Sequence, residues 1–178
     1  MKRTSLLHRL TETGLIAALY AVLTLVLPVA SFGTVQFRFS EMLTVLPVFS
    51  KNAVAGLTLG CAIANAIGVA MGVNIAGVWD ILIGAFATWL AAVATRALRR
   101  VTLKSLPVLA VWPPVLVNAV IIGAELCVVT VGTFDWPLFG VMALQVAVGQ
   151  LLPCVAGGIF LHFSLEKTQV AAKIFRNT

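Results

Sequence analysis

Ala53-Val54-Ala55-Gly56-Leu57-Thr58-Leu59-Gly60-Cys61-Ala62-Ile63-Ala64-Asn65-Ala66-Ile67-Gly68-Val69-Ala70-Met71-Gly72 runs without a charged side chain. It is as long as the roughly 20 apolar residues a helix needs to cross a bilayer. Similar runs lie around it, near 13–31, 78–95, 106–130 and 139–163, with a shorter one near 40–50. Over its 178 residues the chain is 61% apolar and 10% charged, with mean hydropathy +1.07, whereas a soluble protein carries roughly a quarter charged residues. The hydropathy is spread along the whole length, which excludes a soluble domain with one anchor, a disordered chain and a disulfide framework. The pattern predicts an all-α integral membrane bundle, a single transmembrane domain over 1–178 with six helices near 13–31, 40–50, 53–72, 78–95, 106–130 and 139–163.

The formal net charge of +6 would suggest a nucleic-acid partner in a soluble chain; here its placement reads as an orientation signal and no nucleic acid is expected. With the N-terminus in the cytoplasm, Lys2, Arg3, Arg9, Lys51, Arg96, Arg99, Arg100, Lys104, Lys167, Lys173 and Arg176 all fall on the cytoplasmic side, and Arg38 alone falls outside. Both termini are therefore expected inside a cell membrane crossed several times. Met1-Lys2-Arg3 and the run after it imitate a secretory signal, with Val29-Ala30-Ser31 resembling a cleavage site. That run is long for a signal core and more spans follow, so it is expected to remain as the first helix. Cys61, Cys127 and Cys154 lie singly in apolar runs, as small buried hydrophobes do.

Val35-Gln36-Phe37-Arg38-Phe39-Ser40 alternates apolar and polar residues with the period of an extended strand, so an extended segment is expected before the short second helix. Helix three carries Gly56, Gly60, Ala64, Gly68 and Gly72 at every fourth position, and helix one pairs Gly14 with Ala18 and Ala17 with Ala21. Small residues let helix backbones approach in lipid. Packing inside the bundle explains the helix-three series; helix one could equally present its flank to another subunit.

An ionisable residue inside a span costs on the order of 2.5–3.5 kcal/mol on insertion scales and calls for a functional explanation. Under the orientation above, Glu41, Asn65, Asp80, Glu125 and Gln145, from five helices, share the outer half of the membrane, as a pocket opening outward would require. Plainer explanations stand beside this one. Arg38 and Glu41, three apart, could pair with each other; Asp80 could meet the positive end of a helix dipole; Glu125 could be tied within the bundle. Asn118 lies seven residues before Glu125 on the same face, and Asn74 and Gln150 are weaker candidates. Trp79 and Trp136 fit an aromatic belt, with stacking on a planar ligand as the alternative for Trp79. No catalytic residue, metal site or cofactor is expected: His8 and His162 lie near the cytoplasmic boundary, away from the acids. The chain has neither a Gly-x-Ser-x-Gly elbow nor a phosphate-binding Gly-x-x-x-x-Gly-Lys-Ser/Thr loop, so energy for transport would have to come from an ion gradient or a partner.

Three runs carry a likeness: Val35 through Pro47 with its Gln36-Phe37-Arg38-Phe39-Ser40-Glu41 core, Gly56 through Asn65, and Trp79-Asp80-Ile81-Leu82-Ile83-Gly84-Ala85-Phe86-Ala87-Thr88. Together they resemble the QueT family of queuosine-precursor transporters, S components of energy-coupling factor (ECF) transporters. The resemblance implies a six-helix S component that captures a deazaguanine base, or a relative such as queuine, from outside. It also implies association with a T component and two cytoplasmic ATPase subunits, and a toppling motion that releases the ligand inside. Ala17-x-x-x-Ala21 looks like the small-residue motif by which S components dock on the T component, and the family's substrate motif maps onto Gln36, Arg38, Glu41, Asn65 and Asp80. For a guanine-like base, Glu125 or Asp80 is expected to accept the ring N–H and amino group together. Glu41 would pair with an aminomethyl cation, Asn65, Asn118 or Gln145 would read the ring carbonyl, and Phe37 or Trp79 would cover the ring. The alternatives are an S component for another vitamin-like or purine-like molecule, or a stand-alone small membrane carrier.

Overall fold

The computed structural model describes residues 2–102 and 107–169, with side chains from residue 6 onward. Lys104, Lys173, Arg176 and the expected helix start at 106 lie outside them, as do the side chains of Lys2 and Arg3. The α-helices are α1 (Lys2–Leu25), α2 (Pro28–Ser31), α3 (Asn52–Ala70), α4 (Asp80–Ala97), α5 (Trp112–Val131), α6 (Trp136–Gln150) and α7 (Gly158–Lys167), with no strand among the described residues. A 3-10 helix, Phe39–Val48, precedes α3, and a π-helical stretch, Leu151–Gly157, joins α6 to α7. Five stretches are long and apolar enough to cross a membrane: Leu6–Leu25, Asn52–Ala70, Gly77–Arg100, Trp112–Val131 and Trp136–Lys167. The apolar Phe39–Val48 helix is shorter.

Helix one stops at Leu25, short of the expected residue 31. Pro28 disfavours helical backbone at the residue before it, and Leu27 sits at φ −128°, ψ 72°. Helix five starts at Trp112 rather than near 106, because Pro113 and Pro114 fit the first turn, where their missing N–H groups have no intrahelical partner to lose. Helix six starts earlier than residue 139: Asp135 caps it by accepting from the Leu138 N–H at 2.8 Å.

The core is built on close backbone approach. A methyl added at Gly60 would lie 2.7 Å from Tyr20 Cβ and 2.8 Å from the Ala17 carbonyl, and one at Gly56 would lie 2.8 Å from Ile16 Cβ. These glycines seat α1 on α3. Gly123 plays the same part between α5 and α6, where a methyl would meet Ala143 Cα at 2.7 Å. In sequence, α1, α3, α4, α5 and α6 each pack on the next, while the Phe39–Val48 helix touches α1, α3, α4, α7 and the π-helical stretch. The short helix is therefore the axle of the bundle.

Polarity is turned inside out. Helix α5 exposes Leu116 and Val120 and buries Asn118 and Glu125, as a lipid-facing surface requires. The same inversion governs Val35–Ser40, where Gln36, Arg38 and Ser40 are buried and Val35 and Phe39 are exposed. The alternation read from the sequence holds at Arg38, whose backbone is extended (φ −113°, ψ 115°), but Gln36 turns left-handed at φ 49°. Val35 then crosses so close to α6 that a methyl on Gly149 would collide with its carbonyl oxygen.

Gly60→Ala is expected to cost about 1–3 kcal/mol through overpacking against α1, read as a lower Tm in detergent. Gly14, with nothing within 4 Å of its missing methyl, should tolerate the same change without loss.

Candidate polar site inside the bundle

The site grows from one buried cation. Arg38 is 3% exposed, so its donors need acceptors in the protein. Its Nε donates to the Ser31 carbonyl at 2.8 Å, its Nη2 lies 3.4 Å from Asp80 Oδ2, and its guanidinium stands 5.1 Å from the centre of the Phe32 ring. Asp80 opens α4 and is fully buried. Besides Arg38 it accepts from Asn74 Nδ2 at 2.8 Å, and its backbone carbonyl accepts from Asn65 Nδ2 at 2.6 Å. Gly84 leaves the space these groups occupy: a methyl there would lie 2.5 Å from both Asn65 Nδ2 and Asp80 Oδ1.

Glu41 does not pair with Arg38. Its Oε1 accepts from the Tyr20 hydroxyl at 2.5 Å, its Oε2 lies 4.0 Å from the Cys154 thiol, and the Gln150 side chain also bonds to the carboxylate. The same thiol donates to Gln150 Oε1 at 3.1 Å, which also accepts from Asn118 Nδ2 at 3.2 Å. The π-helical stretch contributes here. It adds a residue to the turn that carries Cys154, and such bulges recur at functional sites. Beside the corner, Thr24 and Ser40 share a hydroxyl contact at 2.6 Å, which ties α1 to the start of the short helix.

Glu125 completes the group. It is 6% exposed and interacts electrostatically with both Asp80 and Arg38. Neither of its carboxylate oxygens has a hydrogen-bond partner among the described residues. Gln36 Nε2, Asn65 Oδ1, Asp80 Oδ1 and Gln145 Oε1 are likewise buried without partners. Buried polar atoms are nearly always paired, so the unpartnered acceptors of Asn65, Asp80 and Glu125, linked through Asp80 and Arg38, make this interior the candidate site. Glu125 also lines a cavity of about 420 Å³ with Trp79, Ile83, Ile121, Ala124, Val128 and Val129. Glu41 and Asp80 are not among its walls: they lie deeper, beside Arg38.

Gln36, Arg38, Glu41, Asn65, Asp80, Asn118 and Glu125 are thus all buried, while Gln145 is half-buried. Trp79 is 68% exposed and reaches the group only through the Glu125 cavity. Ala17 and Ala21 are placed against the docking role expected of them. Both are buried, and Ala17 packs on Gly60 inside the chain, so neither offers a surface to a partner. The exposed small pair on this helix is Gly14 and Ala18. The sequence reading passed over Tyr20 and ranked Gln150 and Asn74 low. A signal existed for Tyr20: a hydroxyl within an apolar span needs a partner, and a carboxylate is the strongest acceptor available.

A profile of the QueT transporter family matches residues 10–167. Over 60 residues the chain is 38% identical to the queuosine precursor transporter QueT of Lactococcus lactis subsp. cremoris (strain MG1363), a stretch covering 33% of this chain and 36% of that one. The chain thus aligns with little more than a third of this curated relative. No solved structure matches it.

Arg38→Met should destabilise the protein by about 3–5 kcal/mol, because it leaves the Asp80 carboxylate buried without its cation. Arg38→Met combined with Asp80→Asn should cost less than the sum of the two single changes. Thermal unfolding of the four proteins in detergent checks this, and strict additivity would show that the two side chains do not interact.

Proposed function

The chain belongs to the QueT transporter family, and from that membership we propose that it is the substrate-capturing S component of an ECF transporter. It takes a queuosine precursor, a deazaguanine base such as the 7-aminomethyl compound or queuine, from outside the cell. A T component and two ATPase subunits then drive its delivery inward. The reading keeps both termini cytoplasmic and counts the Phe39–Val48 helix as the second of six membrane helices. The observation that carries it is the set of buried, unpartnered polar atoms around Arg38.

Those atoms suit a guanine-like edge. Its ring N–H and amino group form a pair of donors, and Glu125 is the carboxylate with both oxygens free to accept them. Asp80 is the poorer choice, since Arg38 and Asn74 hold its Oδ2. Asn65 Oδ1 and Gln145 Oε1 supply further acceptors. The ring carbonyl needs a donor, and the free one is Gln36 Nε2. Asn118 therefore acts through Gln150, to which its amide is already bonded. Gln36 sits on the Val35–Ser40 segment, whose single-layer crossing of Gly149 makes it the lid that has to lift for entry.

Docking on the T component falls to the outward side of α1. Leu15 and Leu19, exposed there, edge an apolar groove whose floor is formed by buried Ile16, Leu43 and Leu46 with Leu161 and Leu165, and at which one Glu12 carboxylate oxygen is buried without a partner. A partner helix with apolar side chains and one basic residue fits this groove.

Glu125→Gln should weaken binding of 7-aminomethyl-7-deazaguanine to the purified protein at least tenfold, about 1.4 kcal/mol, without lowering Tm, because no protein hydrogen bond is lost. Calorimetric titration measures this, and unchanged affinity rejects the grip. Leu19→Trp, which fills the groove, should abolish ATP-driven uptake by the assembled transporter while binding persists; normal uptake would remove the groove from the docking surface.

A further inference from the structure

We propose that the corner formed by Glu41, Cys154 and Gln150 is an ammonium site, through which the protein selects precursors bearing a cationic side arm over neutral ones with the same ring. The inference rests on the precursor reading above and adds a charge requirement to it.

With every group ionised, Arg38 faces three buried carboxylates, Glu41, Asp80 and Glu125. Arg38 is paired with Asp80 at 3.4 Å and is also felt by Glu41 and Glu125, so one cation is shared among three carboxylates and neither Glu41 nor Glu125 has a cation of its own. If Glu125 accepts the neutral donors of the ring, Glu41 remains uncompensated. An unpaired carboxylate in a dry interior is costly, so a ligand that brings a positive charge to it gains over a neutral ligand of the same shape.

The geometry around Glu41 suits an ammonium. Tyr20 holds Oε1 and fixes the carboxylate in place. On the other side, Glu41 Oε2 and Gln150 Oε1 both turn toward the Cys154 sulfur, at 4.0 Å and 3.1 Å. Two acceptors therefore share a single thiol hydrogen, a weak donor, and the Gln150 and Glu41 side chains are bonded to each other as well. An ammonium carries three strong donors and would serve both oxygens at once. Gln150 is kept in position by Asn118 at 3.2 Å, so the acceptor pair is built before any ligand arrives. Thr44, one turn along the short helix, donates its hydroxyl to the Glu41 backbone carbonyl and also contacts the Cys154 thiol, so it belongs to the same corner.

The test compares 7-aminomethyl-7-deazaguanine with 7-cyano-7-deazaguanine, which share a ring and differ in the charge of the arm, by calorimetric titration of the full-length protein in detergent. The aminomethyl compound should bind at least tenfold tighter to the wild-type protein. In Glu41→Gln its affinity should fall to that of the cyano compound, whose own affinity stays level or rises, a pattern that general damage to the fold would not produce. Equal wild-type affinities overturn the charge requirement and leave the precursor reading standing. An equal loss for both ligands in Glu41→Gln overturns the assignment to Glu41. If neither compound binds the wild-type protein, the precursor reading falls and takes this inference with it. The wild-type comparison needs no variant, so it decides the charge requirement even if Glu41→Gln does not fold.

Discussion

A guanidinium sealed among membrane helices is the constraint around which the rest of this molecule is arranged. Arg38 has to be bonded within the protein, and the groups that satisfy it come from distant places: the Ser31 carbonyl at the end of α2, the Phe32 ring just after it, and the Asp80 carboxylate at the head of α4. Holding these together fixes the path of the segment between α2 and the short helix. It also brings the start of α4 beside α3, where Asn65 bonds the Asp80 carbonyl.

Two kinds of packing make such a centre tolerable. On the outside, long apolar side chains face lipid. On the inside, glycine allows backbones and polar groups to approach: Gly60 under α1, Gly84 under the Asn65–Asp80 contact and Gly149 under the Val35 carbonyl. There Val35 lies on a bare α6 backbone and Gln36 turns left-handed, while Phe37 donates its N–H to the Ala30 carbonyl at 2.9 Å.

Much of this was legible in the sequence because membrane polarity leaves strong marks. Apolar runs locate the long helices, the glycine series on α3 announces its close neighbours, and intramembrane acids stand out. What escaped depends on direction rather than position. Arg38 and Glu41 are three residues apart, a spacing that pairs side chains on a helix, but Arg38 still lies in extended backbone and points to α4, while Glu41, within the short helix, points to Tyr20 on α1. Ala17 and Ala21 carry the spacing of a contact motif, which does not say whether the contact is internal. The end of α1 was misplaced because hydropathy runs unbroken through Leu27 while Pro28 breaks the helix. Tyr20 was overlooked because its value lies in a partner on another helix.

The account's central claim is that separated polar side chains serve one ligand. The most direct measurement is an experimental structure of the protein bound to 7-aminomethyl-7-deazaguanine. It should show the ring edge on Glu125, the carbonyl on Gln36 and the ammonium between Glu41 and Gln150, with the Arg38–Asp80 pair intact beside it. A ligand seated elsewhere, with Glu125 and Glu41 still lacking any contact to it, would contradict the account.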